Sequence, residues 1–495
     1  MKCQAMLACA LLVSSPAAFA ITDLDLDAAF GTDGTFIADF TDAQGSYDIG
    51  IQSFKECDRT SSGLCDFPVS FHYYVAGFHN HLSTQDMSVA LISDTGIPAA
   101  SFGNGGKLTV PTSMTSINDV AFDPATDRLY FAGSQRLFST TSLEFAVTCL
   151  DLPTRAPCAD FGNVGATELV VFDLGDTDND VATRVLFDPQ GYLYLAGYAD
   201  TPNGNQVAVA KLSAANGALV TAFGTNGQAH FILGSRPAGQ STSASGMALI
   251  PSSFSGIPLD KLYIAGAYKT SFDDIDGYVL MIDAIGGTYV NARTISYEND
   301  NPLSNPHGND AVTAITALAN GELAVAGYSD TTTADQPALL LAKMRADSSL
   351  ALDAGFCATG LCVKQVGEGT HGWQDTLPTA IAERPSTRDL VVGIRAGTWR
   401  LDFVTNQWVL SQKQVVQQYA SDGGALHAET EIQFPASDPS TTNVRSAGMN
   451  VDNGIVELTG SRALGTDPND FDITLTRLLA NDTIFASQFG GSQGD

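Results

Sequence analysis

The chain has 495 residues, of which 24 are Lys or Arg and 54 are Asp or Glu, so its formal net charge at pH 7 is −30. A chain this acidic repels phosphate backbones and anionic lipid surfaces, so no nucleic acid and no anionic membrane is expected as a partner. The charge is typical of a soluble protein outside the cell, or of one that binds cations or a cationic partner.

The first twenty residues have the pattern of a secretory signal peptide. Lys2 precedes an apolar run, and the A-F-A sequence at 18–20 has the form of a cleavage site. We expect the mature chain to begin near Ile21 and to be exported, to the periplasm, the outer surface or the medium. No stretch of about 20 apolar residues follows, so no membrane span is predicted. A lipoprotein site at 7–9 is the alternative, although the apolar stretch before it is short.

Eight cysteines are present, and Cys3 and Cys9 would leave with the signal peptide. The other six fall into pairs that are close in sequence: Cys57 with Cys65, Cys149 with Cys158, and Cys357 with Cys362. In an oxidising compartment these spacings favour three local disulfides, although six cysteines allow fifteen pairings. Zinc ligation is the alternative, but the C-x₂-C spacing and the supporting histidines of zinc sites are missing.

An apolar alternation that ends in Ala-Gly recurs about every 64 residues along the chain. Five clear and two degenerate copies end at Gly77, Gly133, Gly197, Gly266, Gly327, Gly393 and Gly460. Small residues within a strand indicate that another backbone approaches closely, which fits blades packed face to face around an axis.

A second phrase, F-G-x-x-G, keeps the same rhythm. It occurs at 30–34, 102–106, 161–165 and 223–227, in a decayed form at 356–360, and the chain closes with Phe489-Gly490. Its Phe is expected to fill the space between neighbouring blades, and its Gly to allow a sharp turn.

Each repeat is predicted to contain four strands, which in the third repeat are 167–173, 180–188, 192–198 and 206–212. No stretch of useful length has the 3.6-residue period of an amphipathic helix, which excludes a helical repeat. Seven units therefore predict an all-β protein, a seven-bladed β-propeller with four antiparallel strands per blade, as one domain over residues 21–495. We expect a monomer in which closure of the ring removes exposed strand edges.

At these phrases the chain resembles the delta-sixty repeat β-propeller proteins. Their pattern is an extended strand that ends in Ala-Gly, then a strand of the type D-F-x-L-x-R-L, then L-D-x-x-F-G-x-x-G. Residues 24–34, LDLDAAFGTDG, and 469–478, NDFDITLTRL, match it closely. The resemblance extends over most of residues 21–495 and is weakest in the sixth unit. It implies a propeller fold, and it implies no activity because the pattern contains no catalytic motif.

The four-strand interpretation assigns the loops to two faces. One face has short turns and all three cysteine pairs, and is interpreted as structural. The opposite face has longer loops rich in Asp, Asn and Gly, at 173–180, 271–277, 296–310 and 465–470. Loops on a rigid scaffold often carry binding sites, which favours this irregular face. By analogy, propellers often use the face where blades cross over, which this interpretation assigns to the short turns.

One irregular loop has alternating carboxylates, which can supply the hard oxygen ligands that Ca²⁺ prefers. These candidate metal ligands are Asp173, Asp176, Asp178 and Asp180. The stretch lacks the full spacing of an EF-hand loop, and Asp is a common turn residue, so a turn without metal is the alternative. Calcium is the one cofactor that the sequence suggests.

Other candidate residues give weaker signals. His79 and His81 form an H-x-H pair, which needs a third ligand from elsewhere to bind a metal, and a solvated loop is the other interpretation. Trp373, Trp399 and Trp408 can stack on a sugar or pack in the core. Neither G-x-S-x-G nor S-x-x-K occurs in a useful context, and no catalytic residue is assigned.

The sequence therefore predicts an exported propeller that acts as a binding or surface-interaction module. Its ligand would be extracellular, either a glycan or a protein. One alternative is a secreted or periplasmic hydrolase or lyase that uses paired carboxylates of its own to act on a polysaccharide. Another is a scaffold that Ca²⁺ stabilises and that has no ligand of its own.

Overall fold

The computed structural model of the protein describes residues 24–40, 47–57, 70–81, 83–136, 142–162, 169–173, 179–201, 204–233, 242–251, 260–271, 274–297, 309–330, 337–364, 366, 375–402, 407–423, 425–432, 444–452, 454–463 and 471–480. These residues form thirty β-strands and no helix. None of them lies in a helix long and apolar enough to cross a membrane. The strands form seven antiparallel sheets in a ring, which confirms the predicted seven-bladed β-propeller.

The chain begins with β1 (Leu24–Leu26) and β2 (Thr35–Ala38), which belong to the last blade. Blades 1 to 3 contain β3 (Asp48–Cys57), β4 (Phe71–His81), β5 (Thr84–Ser93) and β6 (Lys107–Val110); β7 (Ser116–Asp123), β8 (Arg128–Arg136), β9 (Leu143–Asp151), β10 (Ala156–Pro157) and β11 (Leu169–Phe172); and β12 (Asp180–Asp188), β13 (Tyr192–Ala199), β14 (Gln206–Ser213) and β15 (Gln228–Phe231).

Blades 4 to 7 follow the same order. They contain β16 (Thr242–Ile250), β17 (Lys261–Ser271), β18 (Asp274–Asp283) and β19 (Tyr289–Ile295); β20 (Asp310–Ala317), β21 (Glu322–Ser329), β22 (Ala338–Arg345) and β23 (Leu361–Lys364); β24 (Asp375–Glu383), β25 (Leu390–Asp402), β26 (Gln407–Tyr419) and β27 (Leu426–Ile432); and β28 (Val444–Asp452), β29 (Ile455–Ala463) and β30 (Phe471–Ala480). In blades 2 and 7 the outer strand is in two pieces, which are β10 with β11 and β1 with β2.

The ring closes because the two ends of the chain share a sheet. β1 and β2 pair with β30, in registers that include Leu24 opposite Ala480 and Thr35 opposite Thr476. The N-terminal segment thus supplies the outer strand of blade 7. The two ends of the chain are therefore hydrogen-bonded to each other within one blade, which closes the ring.

The sequence repeat is offset from the blade by one strand. The segment predicted as the first strand of the third repeat, 167–173, contains β11, which pairs with β9 of blade 2, Val170 opposite Val147. β6 and β2 likewise end the blade before the one that their repeat would begin. The first strand of a repeat pairs with the strand that precedes it in the chain, because the intervening turn returns it to the same sheet edge.

This offset changes where blades connect. The face at which outer strands end and the next inner strands begin, here named the crossover face, carries Asp173 at the end of β11 and Asp180 at the start of β12. It is the irregular face of the sequence interpretation. The opposite end, named the turn face, carries the short turns. The prediction that blades cross over on the turn face is therefore wrong, and the two arguments about the functional face now agree.

The Gly of the Ala-Gly phrase lies against a bulge in the inner strand of its own blade. A Cβ on Gly197 would be 1.9 Å from the carbonyl oxygen of Val181. The register shifts there, between Ala182 and Arg184, and equivalent bulges occur in the inner strands of all seven blades. The close approach of a backbone is as predicted, but that backbone belongs to the same blade and not to a neighbour.

Blade 6 shows what a degenerate copy means. Its inner-strand bulge separates Pro378, opposite Ile394, from Ala380, opposite Gly393. Gly393 therefore stands where the other copies have Ala, and Ile394 stands at the position of the Gly. The degenerate phrase is thus displaced by one residue in the structure.

The Phe of the F-G-x-x-G phrase fills the space between blades, as predicted. Phe223, at the end of blade 3, is fully buried in a cluster that contains Tyr194 of blade 3 and Leu262 of blade 4. The next residue, Gly224, has φ of +52° and donates its N–H to the carbonyl oxygen of Gly286 in blade 4, at 2.9 Å. Phe489 and Gly490 lie outside the described residues.

Candidate functional site

Acidic residues meet on the crossover face at three of the seven junctions between blades. The inner strands of blades 1, 3 and 5 begin with a buried aspartate, and the third strand of the preceding blade carries a carboxylate at an equivalent register. The three pairs are Asp48 with Asp472, Asp180 with Glu144, and Asp310 with Asp276.

At the junction of blades 2 and 3, a third carboxylate joins the pair. One oxygen from each of Glu144, Asp173 and Asp180 lies within 4.8 Å of the others. Asn179 fixes the two strand ends, because its Oδ1 accepts the backbone N–H of Leu143 at 3.1 Å. Glu144 and Asp180 are buried, whereas Asp173 is exposed. The cluster therefore opens to solvent on one side.

The carboxylate of Glu144 is only half satisfied. Ser142 Oγ donates a hydrogen bond to Oε1 at 2.6 Å. Oε2 is buried and no hydrogen bond reaches it. Burial raises the pKa of Glu144, the Ser142 hydrogen bond lowers that pKa, and the nearby charge of Asp173 raises it. A buried carboxylate oxygen without a partner costs about 1–3 kcal/mol or more.

The junction of blades 7 and 1 has the same layout but its own donor. Asp39, Asp48 and Asp472 each bring an oxygen within 4.8 Å of the others. His79 Nδ1 lies 2.7 Å from Asp48 Oδ1, and the N–H of Phe40 donates to Oδ2 at 2.9 Å. Burial raises the pKa of Asp48, while these two hydrogen bonds lower it. Both oxygens of Asp48 are thus held by the protein.

His79 therefore does not lie in a solvated loop, which was the second sequence interpretation. It is a buried residue of β4, directly opposite Asp48 in the sheet register. The backbone of His81 ends the same strand, and its side chain lies outside the described residues.

At the junction of blades 4 and 5, the buried inner-strand aspartate is Asp310. The N–H of Tyr297 donates to its Oδ2 at 2.7 Å. Burial raises the pKa of Asp310 to about 7, against hydrogen bonds from Ser329 and Tyr297 that lower it, and the charges of Asp276 and Asp330 raise it further. Asp310 therefore takes up a proton near neutral pH.

The residue opposite the inner-strand aspartate differs among the three junctions. It is His79 opposite Asp48, Ser329 opposite Asp310, and Ala199 opposite Asp180. Histidine and serine can donate a hydrogen bond to the carboxylate, whereas alanine cannot. The junction of blades 2 and 3 is thus the acidic junction whose register position offers no donor side chain.

The inner strands of all seven blades line an axial channel with a volume of about 490 Å³. Its polar side chains mainly join one blade to the next. Asn118 Nδ2 donates to the carbonyl of Ala182 at 2.7 Å, and Thr313 Oγ1 to that of Pro378 at 2.6 Å. Asp119 accepts the N–H of Val185 at 2.9 Å, and burial raises its pKa. We interpret this wall as structural.

The structure accounts for two of the four aspartates proposed as metal ligands. Asp173 and Asp180 come together at the junction of blades 2 and 3, while Asp176 and Asp178 lie outside the described residues. Glu144 was missed, because it precedes them by about half a repeat. Alignment of the repeats with one another offered a signal for Glu144. The equivalent positions in the third strands of other blades include Asp86, Asp276 and Asp472.

Two of the three predicted disulfides are present, Cys149–Cys158 and Cys357–Cys362. Both lie on the turn face, within the connection from the third strand to the outer strand of one blade. Because the sequence interpretation assigned the blade-to-blade crossings to the short turns, it also placed these two cysteine pairs at crossings, which is wrong because of the strand offset. Cys65 lies outside the described residues, so its pairing with Cys57 stays a prediction. Trp373 and the side chains of Trp399 and Trp408 also lie outside them.

The fold and these junctions define the class: a seven-bladed β-propeller with carboxylate clusters on its crossover face. No protein-family model and no curated protein matches the chain. Among solved structures it is similar to prolyl oligopeptidase B from Galerina marginata bound to a 35mer hydrolysis and macrocyclization substrate, with 11% identity and a TM-score of 0.39 over 86% of this chain and 51% of that chain. The chain thus spans about half the length of that peptidase. A similarity at this level carries no argument about activity, and the delta-sixty resemblance stays a prediction.

Proposed function

We propose that the protein is an exported binding module, a propeller of the delta-sixty repeat type that holds an extracellular ligand on its crossover face. The ligand is a glycan or a protein that presents hydrogen-bond donors or positive charge to carboxylates. Two disulfides and the secretory pattern of the first twenty residues support export.

The observation that carries this proposal is the uneven distribution of the junction carboxylates. The fold does not need them, because the same two register positions hold neutral residues at the junctions of blades 3 and 4 and of blades 5 and 6. Those residues are Gln206 with Thr242 and Ala338 with Thr376. Buried carboxylates are costly to the fold, so their presence at only some junctions favours a role in binding.

The two faces also differ in how firmly they are built. On the turn face, the residue after the buried Phe donates a backbone hydrogen bond to the next blade, as with Gly31 to Thr95 and Cys357 to Asp422, both at 2.8 Å. Two disulfides also stabilise this face, each within a single blade. The turn face is therefore interpreted as a rigid support. The crossover face is the one that presents side chains for binding.

The test is retention of the mature protein on affinity gels that carry cell-wall glycans, neutral polysaccharides or basic proteins. We expect one ligand class to retain it without turnover, and Asp310→Asn and Glu144→Gln to weaken retention about tenfold or more. Asp160→Asn is the matched control, because Asp160 pairs with Arg128 on the turn face. Equal loss in this control, or no retention on any gel, would exclude the crossover face as the binding surface.

A second candidate, a polysaccharide hydrolase or lyase, is favoured by Asp310 alone. A carboxyl group with a pKa of about 7 beside Asp276 and Asp330 resembles the acid and base division of glycosidases. Release of reducing ends or unsaturated products, abolished in Asp310→Asn, would establish the enzyme. Retention without products would support the binding module instead.

A further inference from the structure

We propose that the junction of blades 2 and 3 is a Ca²⁺ site whose protein ligands include Glu144, Asp173 and Asp180. The site goes beyond the proposed function, since it can hold an ion whether or not the crossover face binds a larger ligand. It also differs from the loop site that the sequence suggests, because its buried ligand comes from the preceding blade.

The spacing of the three oxygens suits the ion. Ca²⁺ binds oxygen at about 2.3–2.6 Å, so ligands on opposite sides of the ion lie about 5 Å apart. The three oxygens here lie within 4.8 Å of one another. A central ion can therefore reach all three without any change in the strands that carry Glu144 and Asp180.

An independent observation points to a ligand that the protein itself does not provide. Glu144 is 4% exposed, and its Oε2 is buried without a hydrogen-bond partner while Ser142 holds Oε1. Among the described residues, Glu144 also makes no ion pair. A cation at the junction would satisfy this oxygen, and its charge would offset the cost of burying the carboxylate.

Comparison of the three acidic junctions supports the same assignment. At the other two, the residue opposite the inner-strand aspartate can donate a hydrogen bond, as His79 does to Asp48 at 2.7 Å. At the junction of blades 2 and 3 that residue is Ala199. The register position opposite Asp180 therefore supplies no donor side chain to a carboxylate at this junction.

The donor set selects the type of metal. Carboxylate oxygens alone are hard ligands, which favour Ca²⁺ or Mg²⁺ over Zn²⁺. Asp173 is exposed, so water can complete the six to eight ligands that Ca²⁺ takes. Asp180 Oδ1 also accepts the N–H of Asp200 at 3.2 Å, which orients this ligand. Ca²⁺ takes a flexible set of ligands, whereas Mg²⁺ demands a near-ideal octahedron, so we assign the site to Ca²⁺.

Isothermal titration of EGTA-treated, dialysed mature protein with CaCl₂ tests the site. We expect one equivalent of Ca²⁺ to bind and the melting temperature to rise by at least about 2 °C at saturation. Glu144→Gln should weaken Ca²⁺ binding at least tenfold. Without Ca²⁺ it should melt no lower than the wild type, because the substitution removes a buried charge and keeps the shape. Asp25→Asn, an exposed aspartate near the seam, is the control and should bind as the wild type does.

Asp173→Asn is the second variant, since an exposed side chain can change without loss of the fold, and it should also weaken binding. The proposal is wrong if the wild type shows neither binding heat nor a change in melting temperature. It is equally wrong if Ca²⁺ binds as tightly to Glu144→Gln and Asp173→Asn as to the wild type. Loss of binding in Asp472→Asn alone would place the ion at the junction of blades 7 and 1.

Discussion

Arg477 donates a hydrogen bond from Nε to Oδ2 of Asp27 at 2.8 Å, although the two residues are 450 positions apart. Both side chains are about nine-tenths buried. The guanidinium also lies over the ring of Phe30, 4.3 Å from its centroid, and donates to the carbonyl of Asp94 in blade 1. One cation thus joins the N-terminal segment, the last blade and the first blade at the seam of the ring.

Removing the charge of Asp27 should weaken this seam. Asp27→Asn leaves a buried guanidinium without its counter-ion, which we expect to lower the free energy of unfolding by about 3 kcal/mol. Urea denaturation measures the loss. The control is Asp452→Asn, because Lys55 and Asp452 also join blades 1 and 7 at 2.9 Å but Asp452 is 56% exposed, and the expected loss is below about 1 kcal/mol. Equal losses in the two variants would contradict a special role for Asp27.

The Gly of the Ala-Gly phrase should not tolerate a methyl group. In Gly197→Ala the new Cβ would lie 1.9 Å from the carbonyl oxygen of Val181, so the bulge in β12 must move. We expect a loss of about 3 kcal/mol or more in thermal or urea unfolding. Gly191→Ala, in the turn before β13, has φ of +87° and open space around it, and should cost only about 1–2 kcal/mol. A smaller loss at Gly197 than at Gly191 would be inconsistent with this packing.

Asp310 should make stability depend on pH in a defined window. Its ordinary pKa is 3.8 and burial raises it to about 7 in the folded protein, so the folded state binds this proton more tightly than the unfolded state. The resulting stabilisation is complete below about pH 4 and is lost as pH rises to about 7, a change on the order of a few kcal/mol. The difference in unfolding free energy between wild type and Asp310→Asn should decrease across this window.

Asp347 provides the opposite sign for comparison. Hydrogen bonds from Ser349 lower the pKa of Asp347 below its ordinary value, so its contribution is lost only as pH falls below about 4. Asp347→Asn should therefore leave the profile between pH 4 and 7 unchanged. A flat difference for Asp310→Asn would show that Asp310 does not titrate there.

The disulfides should all be local. Peptide mapping of the unreduced protein should recover Cys149 with Cys158 and Cys357 with Cys362, and we expect the third pair to be Cys57 with Cys65. Reduction opens short loops, so each lost bond should cost about 2 kcal/mol in stability. A peptide that links two of these three loops would refute the local pairing.

The fold could be predicted because its signal is repeated. An alternating apolar segment that recurs seven times indicates seven blades by its regular spacing alone. The F-G-x-x-G phrase recurs with the same spacing, which predicted the buried Phe between blades. The strand offset could not be predicted in this way, because a strand such as β11 has an equally good apolar pattern for pairing with β9 or with β12. The pairing of β2 with β30, at the other end of the chain, reveals the choice.

The candidate site was also predicted only in part from the sequence. Asp173 and Asp180 share one loop, so their proximity was visible in the sequence. Glu144 joins them only because blade 2 packs beside blade 3, which is a consequence of tertiary structure. The sequence left His79 as a member of an H-x-H pair in a solvated loop or a metal site. The sheet register places it opposite Asp48, a contact that the sequence did not indicate.

The first strand of each repeat is the outer strand of the preceding blade, so no single repeat contains all four strands of one sheet. If one whole repeat were duplicated or deleted, each remaining blade would still receive its outer strand from the repeat that follows it. The outer strand of the final blade would still come from the start of the chain. The hydrogen bond between Asp27 and Arg477 at the closing seam joins the two ends of the chain, so it does not depend on how many repeats lie between them.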